Sequence, residues 1–300
     1  MKIGITGASY FGKILEIQLR NSGIDAELIE TSLIRYNLIK NVLKKDIIHF
    51  IFSPTVSVYG LITIIQLKLL FRKKIIVTWI GSDTLLAIKV RGYICSKIGN
   101  KFIDLNTALT EWLAEELKKL GIENCVVCPL PLYKDVRLVP MCLPRKFTVL
   151  IYLPQHRFEF FCGKICERII DSFKNIHFII TANNGYGIKK RANVEFLGWV
   201  NDMNKVYSQT TVFLRIPKHD GLSNMVLEAL SAGRYVIYSY PLKGCFYART
   251  YNDVWHHLNK LLNTPQLKPN IEGRNFVLRN YDKNILVKKL ISIYKMVITR

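Results

Sequence analysis

The chain has 300 residues, half of them apolar, and a formal net charge of +21 at pH 7. That length allows one large domain or two ordinary ones, and the balanced composition excludes a chain that is disordered throughout. The positive charge, most of it after residue 140, favours anionic partners such as phosphates, nucleic acid or an acidic membrane surface. A generic basic surface is the alternative.

The seven cysteines do not follow the spacing of a disulfide framework or a zinc site. Cys125 and Cys128 form a CxxC without a second pair, and the gap between Cys162 and Cys166 is wrong for a zinc ribbon. An odd number of cysteines fits a reducing compartment, and the chain starts with a strand-like run rather than a signal peptide. We therefore expect a cytoplasmic protein.

The first half of the chain alternates short apolar runs with longer amphipathic ones. An uncharged stretch, residues 47–67, is long enough to span a bilayer, but Pro54 near its middle argues for a strand over Ile47–Phe52, a turn, and a helix over about Val56–Phe71. Residues 108–121 have a helical pattern that stops at Gly121. The predicted strands are KIGIT, AELIE, IIHFIF, KIIVTWI and KFIDL.

The pattern restarts after a proline-rich linker. Four prolines of this linker fall within sixteen residues: Pro129, Pro131, Pro140 and Pro144. The strands predicted after it are FTVLIYL, IHFIITA, VEFLG, TVFLRI and YVIYSY. We predict an α/β chain with two Rossmann-like doubly wound parallel-sheet domains, residues 1–140 and 141–280, and a closing helix at residues 281–300. The expected site is a cleft between the domains, beyond the carboxyl ends of the strands.

The segment 219–233, HDGLSNMVLEALSAG, is a predicted helix with an acid in its middle and another just before it. Ser223 suits the N-cap, and Gly233 suits the position just past the end. At about 100° per residue, Glu228 lies among small or polar residues, away from the apolar core face. That polar face suits an approaching ligand.

A nucleotide diphosphate sugar has a layout that fits the two acids. The helix N-terminus favours a phosphate, and Gly221 lets a ligand approach the backbone. Glu228 can accept hydrogen bonds from a ribose diol, and Asp220 stands on the other side of the amides, roughly 12 Å away along the helix. The alternative is a loop aspartate and a partly exposed helix glutamate that bind nothing.

Residues 219–237, HDGLSNMVLEALSAGRYVI, resemble the donor-site signature of GT-B glycosyltransferases, particularly the retaining family 4, or group 1. The signature is an acid, seven residues and a second acid; Asp220 takes the first place and Glu228 the second. Gly221 also matches, whereas Tyr235 stands where the family usually has proline. The resemblance implies a GT-B architecture whose two domains close over a sugar nucleotide.

The resemblance also implies roles for the donor-site residues. Glu228 binds the ribose, and Asp220, one methylene shorter than the usual glutamate, lies near the transferred sugar. Backbone groups around Gly198, in NVEFLGWV, meet the base, and the turn at Gly7 approaches the sugar or its phosphates. The phosphates are held by the segment between the acids: Gly221, Leu222, Ser223 and Asn224.

Basic groups must neutralise the leaving diphosphate. The family usually has an arginine and then a lysine after the first strand of the second domain, and YLPQHRFEFFCGK offers Arg157 and, at a wider gap, Lys164. A solvated surface pair is the alternative. Arg215 and Lys218 also stand near the predicted site and add to its positive field.

The acceptor side is predicted in the first domain. VTWIGSD, residues 77–83, resembles the loop after the fourth strand of these enzymes, which puts Ser82 and Asp83 near the acceptor or the sugar. The family often has histidine where this chain has Ile80, so no catalytic histidine is assigned. The alternative for Asp83 is a helix N-cap.

The hypothesis is a hexosyltransferase-class enzyme that uses a UDP- or GDP-sugar and retains the anomeric configuration. The resemblance implies that the leaving phosphate takes the acceptor proton, so no protein base, tightly bound cofactor or obligatory metal is needed. The acceptor is a carbohydrate or is lipid-linked. Residues 61–101 hold eight Lys/Arg and one acid, so they form either a surface that rests on the anionic inner face of the membrane or an ordinary core helix with a charged end.

Three other functions stay open. A degenerate GT-B protein that binds a sugar nucleotide without turnover is suggested by Asp220 and Ile80. An NAD-dependent oxidoreductase is suggested by the glycine turn GITGASYFG, which lacks the dinucleotide spacing, with Glu30 as a nearby acid. Nucleic-acid binding is suggested by charge alone, without a motif.

Overall fold

The computed structural model describes residues 1–29, 42–131 and 139–299. The chain forms two compact units, Met1–Leu132 with Tyr281–Arg300, and Tyr133–Asn280. Each unit has a six-stranded parallel sheet flanked by helices, so the predicted class, α/β with two doubly wound sheets, is confirmed. Glu30 and part of the predicted linker lie outside the described residues.

The first unit is built on a sheet with strands β1 (Lys2–Gly7), β2 (Asp25–Leu28), β3 (Ile47–Ile51), β4 (Lys74–Trp79), β5 (Leu105–Ala108) and β6 (Cys125–Val127). They lie side by side in the order β2-β1-β3-β4-β5-β6, and all neighbours are parallel. The intervening helices are α1 (Ser9–Asn21), α2 (Val58–Leu69), α3 (Ser82–Ala87), α4 (Val90–Gly99) and α5 (Glu111–Lys119).

The stretch around Pro54 is a strand, a turn and a helix, as predicted. All five residues of β3 are buried, which is typical of a parallel strand covered on both faces. A short 3-10 helix, Pro54–Val56, follows, and α2 begins after Ser57, whose Oγ accepts a 3.2 Å hydrogen bond from the Gly60 N–H. The described part of the chain contains no helix with the length and hydropathy of a membrane span.

The second unit contains the strands β7 (Thr148–Tyr152), β8 (His177–Thr181), β9 (Val194–Gly198), β10 (Val212–Arg215), β11 (Tyr235–Tyr238) and β12 (Cys245–Tyr247). Their order is β12-β11-β10-β7-β8-β9, and all neighbours are parallel. Its helices are α6 (Gly163–Ser172), α7 (Met203–Ser208), α8 (Asn224–Ser231), α9 (Tyr251–Leu262) and α10 (Ile271–Asn280). The last helix, α11 (Lys283–Thr299), belongs to the first unit.

One predicted strand, KFIDL, is wrong in position. Asn100–Phe102 form a 3-10 helix, and β5 begins only at Leu105, with the sequence LNTA. Its polar side chains are paired inside the sheet: Trp79 Nε1 donates to Asn106 Oδ1 at 2.9 Å. A search for apolar runs misses such a strand, and it also misses the three-residue edge strands β6 and β12.

A buried polar cluster joins α11 to the first sheet. His49 Nδ1 lies 2.7 Å from the Tyr294 hydroxyl, and His49 Nε2 lies 2.7 Å from Thr78 Oγ1. Thr78 Oγ1 is in turn 2.6 Å from Thr107 Oγ1. These four side chains are fully buried, and burial lowers the pKa of His49 to about 3. The imidazole is therefore neutral at pH 7.

We expect His49 to weaken the fold as the pH falls below neutrality. Its pKa is about 3 in the folded protein and 6.5 as an ordinary value, so the unfolded chain takes up the proton first. The folded state thus has its full stability above pH 6.5 and loses it as the pH falls toward 3. At pH 5, proton uptake by His49 in the unfolded chain lowers the free energy of unfolding by about 2 kcal/mol.

The measurement is urea unfolding of wild type and His49→Gln at pH 7 and pH 5. The substitution replaces the imidazole with an amide, which is polar but does not titrate. The variant should lose about 2 kcal/mol less than wild type between the two pH values. An equal loss of unfolding free energy in both proteins would contradict the conclusion that His49 is held neutral in the folded state.

Candidate functional site

The carboxyl edge of the second sheet gathers the loops that follow β7, β10 and β11. Because these strands are parallel neighbours, their carboxyl ends meet at one edge. Hydrogen bonds join the loops: the Lys218 N–H donates to the Phe160 carbonyl at 2.8 Å, and Ser239 Oγ donates to the Pro217 carbonyl at 2.8 Å. The three loops therefore form one connected surface within this unit.

The helix α8 starts at this edge with the predicted boundaries. Ser223 is the N-cap, and its Oγ accepts a 3.4 Å hydrogen bond from the Val226 N–H. Gly233, just past the end, has the positive φ of +73° that favours glycine there. The predicted helix and both of its end signals are confirmed.

Glu228 is more enclosed than its sequence context indicates. Its side chain is only 7% exposed, and its Oε2 accepts a 2.8 Å hydrogen bond from the hydroxyl of Tyr207 on α7. Burial, followed by the charge of Glu228, raises the pKa of Tyr207 well above its ordinary value. Tyr207 therefore stays protonated and fixes the orientation of the carboxylate.

Asp220 forms an ion pair with Arg215, the last residue of β10. Arg215 Nε donates to Asp220 Oδ2 at 2.8 Å, and the two side chains are 11% and 14% exposed. The guanidinium also lies over the rings of Tyr152 and Phe161, at 5.3 and 5.1 Å from their centroids. Although burial lowers the pKa of Arg215, the Asp220 carboxylate raises it above its ordinary value, so the guanidinium stays charged.

A buried tyrosine, Tyr238, lies close to the same carboxylate. It is the last residue of β11, next to Arg215 in the sheet register. Burial, and then the charge of Asp220, raises the pKa of the Tyr238 hydroxyl well above its ordinary value. Asp220 thus lies near a cation and a neutral hydroxyl, which the ends of two neighbouring strands, β10 and β11, supply.

Between the two acids, the start of α8 presents the predicted phosphate segment. Gly221 and Ser223 are buried, whereas Leu222 and Asn224 are partly exposed. The Ser223 hydroxyl serves as the helix cap. A ligand at this end of α8 would meet backbone N–H groups and the positive end of the helix.

Arg157 and Lys164 both follow β7 and are exposed. Arg157 ends a short 3-10 helix, Gln155–Arg157, and its guanidinium lies 3.9 Å from the centroid of the Phe160 ring. Lys164, in the first turn of α6, is 78% exposed and lies 3.7 Å from a Glu159 oxygen. Phe161 connects Arg157 to the ion pair described above, since it lies against both arginines.

Gly198 ends β9 in a conformation that favours glycine. Its φ is +58°, and a Cβ there would lie 2.5 Å from Asn184 Oδ1. Its carbonyl accepts a 2.6 Å hydrogen bond from the Ala182 N–H, which ties the end of β9 to the end of β8. Trp199 follows with 79% of its side chain exposed.

The predicted residues of the first unit lie at the carboxyl edge of their own sheet. Gly7, with φ at +107°, ends β1, and a Cβ there would lie 2.0 Å from the Ile51 carbonyl oxygen. Ser82 is exposed at the start of α3. Asp83 is fully buried and accepts backbone hydrogen bonds from Ser53 and Gly81, each at 2.9 Å.

The buried carboxylate of Asp83 connects the turns after β3 and β4. It also accepts hydrogen bonds from the N–H groups of Ile80 and Thr84, both at 3.1 Å. Burial raises the pKa of Asp83, and these backbone hydrogen bonds partly offset that rise. Gly81, and not Asp83, is the N-cap of α3, so the N-cap alternative for Asp83 is wrong. An acceptor or sugar contact by Asp83 stays a prediction.

The sequence did not identify Tyr207, Tyr238 or Tyr152 as members of the site. Nothing in the sequence pairs Tyr207 with Glu228, because the two lie on different helices 21 positions apart. The signal that could have found Tyr238 is its place at the carboxyl end of a predicted strand beside the Arg215 strand. Among the described residues, no group of three or more His, Cys, Asp or Glu side chains could hold a metal ion.

A comparison with protein families matches residues 147–248 to the family "Glycosyl transferases group 1". This segment runs from the start of β7 to just past β12 and contains both acids. A search among curated proteins finds no match to this sequence.

Several solved structures are similar in fold. HepE from Anabaena in complex with UDP-glucose is 12% identical, with a TM-score of 0.75 over 99% of this chain and 100% of that one. The lipopolysaccharide outer core galactosyltransferase WaaB is 15% identical, with a TM-score of 0.70 over 99% and 100%. Sucrose-phosphate synthase from Thermosynechococcus elongatus is 10% identical, with a TM-score of 0.73 over the whole of both chains.

The fold of the chain is thus that of GT-B glycosyltransferases, as the sequence resemblance implied. Residues 147–248, with Asp220 and Glu228 at the two sides of the start of α8, are similar to the glycosyl transferases group 1 family.

Proposed function

We propose that the protein transfers a sugar from a nucleotide diphosphate sugar, a UDP- or GDP-sugar, to an acceptor with retention of the anomeric configuration. The observation that carries the proposal is the pair of acids that flank the N-terminal turn of α8, at the carboxyl edge of a parallel sheet. The UDP-glucose bound by HepE supports a uridine donor.

In this proposal the donor lies along the start of α8. The ribose diol donates to Glu228, whose carboxylate can accept several hydrogen bonds while Tyr207 fixes one oxygen. Backbone N–H groups from Gly221 to Asn224 hold the phosphates, and the backbone around Gly198 meets the base. Asp220 faces the transferred sugar, and Gly7 approaches the sugar or its phosphates.

The costly step is separation of the diphosphate from a sugar that has oxocarbenium character. Arg157, Lys164 and the α8 amides stabilise the charge that grows on the leaving group, because they are in place before it forms. The leaving phosphate takes the proton of the acceptor hydroxyl as the new glycosidic bond forms. The chemistry therefore needs no protein base, tightly bound cofactor or obligatory metal.

The acceptor in this proposal is a carbohydrate or a lipid-linked glycan, and the enzyme works in the cytoplasm at the inner face of the membrane. Ser82, exposed at the start of α3, is an acceptor-side contact. Asp83 keeps the neighbouring turns in place through its backbone hydrogen bonds.

One observation favours a second function, a protein that binds a sugar nucleotide without turnover. Asp220 is engaged by Arg215, and the shorter aspartate replaces the glutamate usual at this position. A carboxylate held in this way has less freedom to reach a sugar.

The experiment that tests the proposed function is a screen of UDP- and GDP-sugars, read by release of free UDP or GDP with and without saccharide acceptors. Thermal shifts with UDP, GDP and NAD run in parallel. Donor-dependent release supports transfer, nucleotide binding without release supports the second function, and stabilisation by NAD alone overturns both.

The donor site should depend on Glu228. We expect Glu228→Gln to weaken UDP binding about 10- to 100-fold, because the ribose hydroxyls lose a charged acceptor. Isothermal titration measures the affinity. Glu272→Gln is the control, because Glu272 is 74% exposed on α10 and has no assigned role. Equal affinities for both variants would contradict the ribose contact.

The leaving group should depend on Arg157 and Lys164. Each substitution to alanine should lower kcat about 100- to 1,000-fold with little change in the affinity for UDP, because the charge they stabilise grows in the transition state. Arg145→Ala, an exposed arginine before β7, is the control and should leave kcat unchanged. A uniform loss of UDP affinity without a change in kcat would assign these cations to binding alone.

The Arg215–Asp220 pair should behave as one unit in the fold. Arg215→Met should lower the free energy of unfolding by about 3 kcal/mol, because it removes the cation beside a mostly buried carboxylate. Adding Asp220→Asn to that variant should restore most of the loss. Urea unfolding of the two single variants and the double variant measures this coupling, and additive effects would show that the two side chains act independently.

A further inference from the structure

Phe52, the residue after β3, has a backbone conformation that is rare for a bulky side chain. Its φ is +86°, in a region that glycine adopts freely and that residues with a Cβ avoid. The predicted strand Ile47–Phe52 included this residue, whereas β3 ends at Ile51. Backbone strain of this kind persists only where neighbouring contacts enforce it, and it is concentrated at ligand sites. Phe52 is therefore a candidate functional residue of the first unit.

The positive φ takes the Phe52 side chain out of the alternation of the strand. Side chains of a strand point in turn to the two faces of the sheet, so an extended residue 52 would share a face with Ile48 and Phe50. Ile48 and Phe50 belong to the apolar core on that face, and Phe52 lies outside that core. Its side chain stays partly exposed at the carboxyl edge of the sheet.

Three neighbouring segments fix the backbone on both sides of Phe52. The carbonyl that precedes Phe52 accepts a 2.9 Å hydrogen bond from the Ala8 N–H, and the Phe52 N–H donates to the Thr78 carbonyl at 3.0 Å. The Ser53 N–H donates to the buried Asp83 carboxylate at 2.9 Å. Because β1 and β4 flank β3 in the sheet, these bonds hold the residue from both sides and enforce its strained conformation.

Phe52 lies at the point of the sheet where ligands of doubly wound folds bind. The strand order β2-β1-β3-β4 changes direction between β1 and β3, and the crevice beyond the carboxyl ends at such a point is the usual binding site. The turn at Gly7 ends the strand on one side of Phe52, and Ser82 and Asp83 follow the strand on the other side. The structure thus presents a partly exposed aromatic ring between the two segments predicted to meet the sugar and the acceptor.

A neutral pyranose is the group that this surface suits best. One face of a pyranose carries several C–H groups, which pack against the electron-rich face of an aromatic ring. The segment 47–67 around Phe52 has no formal charge, so it offers no ion pair to an anionic group. The hydroxyls of a sugar need polar partners, and the exposed Ser82 stands beside Asp83, which joins its turn to the Phe52 loop.

We propose that the Phe52 ring stacks on a neutral pyranose of the acceptor, and that Asp83 is a positioning residue that holds the strained backbone. The inference deepens the proposed function and rests on it, because it names the chemical class of the group that accepts the sugar. The contact with the saccharide does not require a bound donor, so the contact and the transfer can be tested separately.

The direct test places para-fluorophenylalanine at position 52 of the full chain and follows its fluorine resonance during titration with lactose, maltose and chitobiose. At least one of these saccharides should shift the resonance in a saturable manner. The control label stands at position 102, because Phe102 is also partly buried but precedes β5, at the opposite edge of the same sheet. The control resonance should not respond.

Three results of this titration would overturn the proposal. They are no shift at position 52 with any of the saccharides, an equal shift at both positions, and a response at position 52 to UDP or NAD without one to a saccharide.

Two pairs of substitutions test the enforced conformation. Phe52→Ala and Phe52→Gly both remove the ring, but only glycine relieves the positive φ. Phe52→Gly should therefore unfold at a higher temperature than Phe52→Ala. Phe102 has no positive φ, so Phe102→Gly should unfold at a lower temperature than Phe102→Ala. The same order at both positions would overturn the role of strain at Phe52.

Steady-state kinetics connect the ring to the reaction. With the donor from the nucleotide-sugar screen and the saccharide that shifts the resonance, Phe52→Ala and Phe52→Gly should raise the KM for the acceptor about tenfold and leave the affinity for UDP unchanged. An unchanged KM would overturn the role of Phe52 and leave the transfer standing. A saccharide response at position 52 in a protein that releases no UDP or GDP from any donor would overturn the transfer and leave the saccharide contact standing.

Discussion

The hydrogen bonding of parallel strands is the constraint on which both units depend. A parallel ladder brings the carboxyl ends of neighbouring strands to one edge, and the loops beyond that edge must satisfy their backbone groups without a further strand. In the second unit, the Lys218 amide and the Ser239 hydroxyl do this by joining the loops after β7, β10 and β11. In the first unit, the Asp83 carboxylate does it by accepting from the turns after β3 and β4. Residues that are distant in sequence thereby become parts of one rigid surface, which is the condition for preorganised binding of a charged ligand.

The two acids of the second unit meet different physical conditions. Glu228 is buried against a tyrosine hydroxyl, which donates to one carboxylate oxygen and fixes its orientation. Asp220 is paired with Arg215, so the pair has no net charge. A diphosphate that gains negative charge as it leaves would be repelled by a bare carboxylate beside the sugar. In the proposed reaction, where Arg215 balances the charge of Asp220, Arg157 and Lys164 act on the leaving group without that opposing charge. The ion pair between Arg215 and Asp220 is thus compatible with turnover, although Asp220 is shorter than the glutamate usual at this position.

The sequence predicted the elements that local signals determine. The helix α8 was predicted from its cap, its glycine stop and its period, and the strands with continuous apolar runs were predicted from those runs. The strand β5 was misplaced because Asn106 and Thr107 are polar and buried, paired with side chains of the neighbouring strand. The partners of the acids could not be read from the sequence, because Tyr207 reaches Glu228, and Tyr238 reaches Asp220, only through the packing of separate elements. Residue type and spacing therefore identified the acids, and tertiary contacts determined their environment.

The positive charge of the second unit has a specific use in the proposed reaction. There, Arg157 and Lys164 act over contact distances on a diphosphate, where a loss of geometry costs rate. Charge on a distant surface is screened over about 8 Å at physiological ionic strength, so it cannot replace two cations placed beside the leaving group.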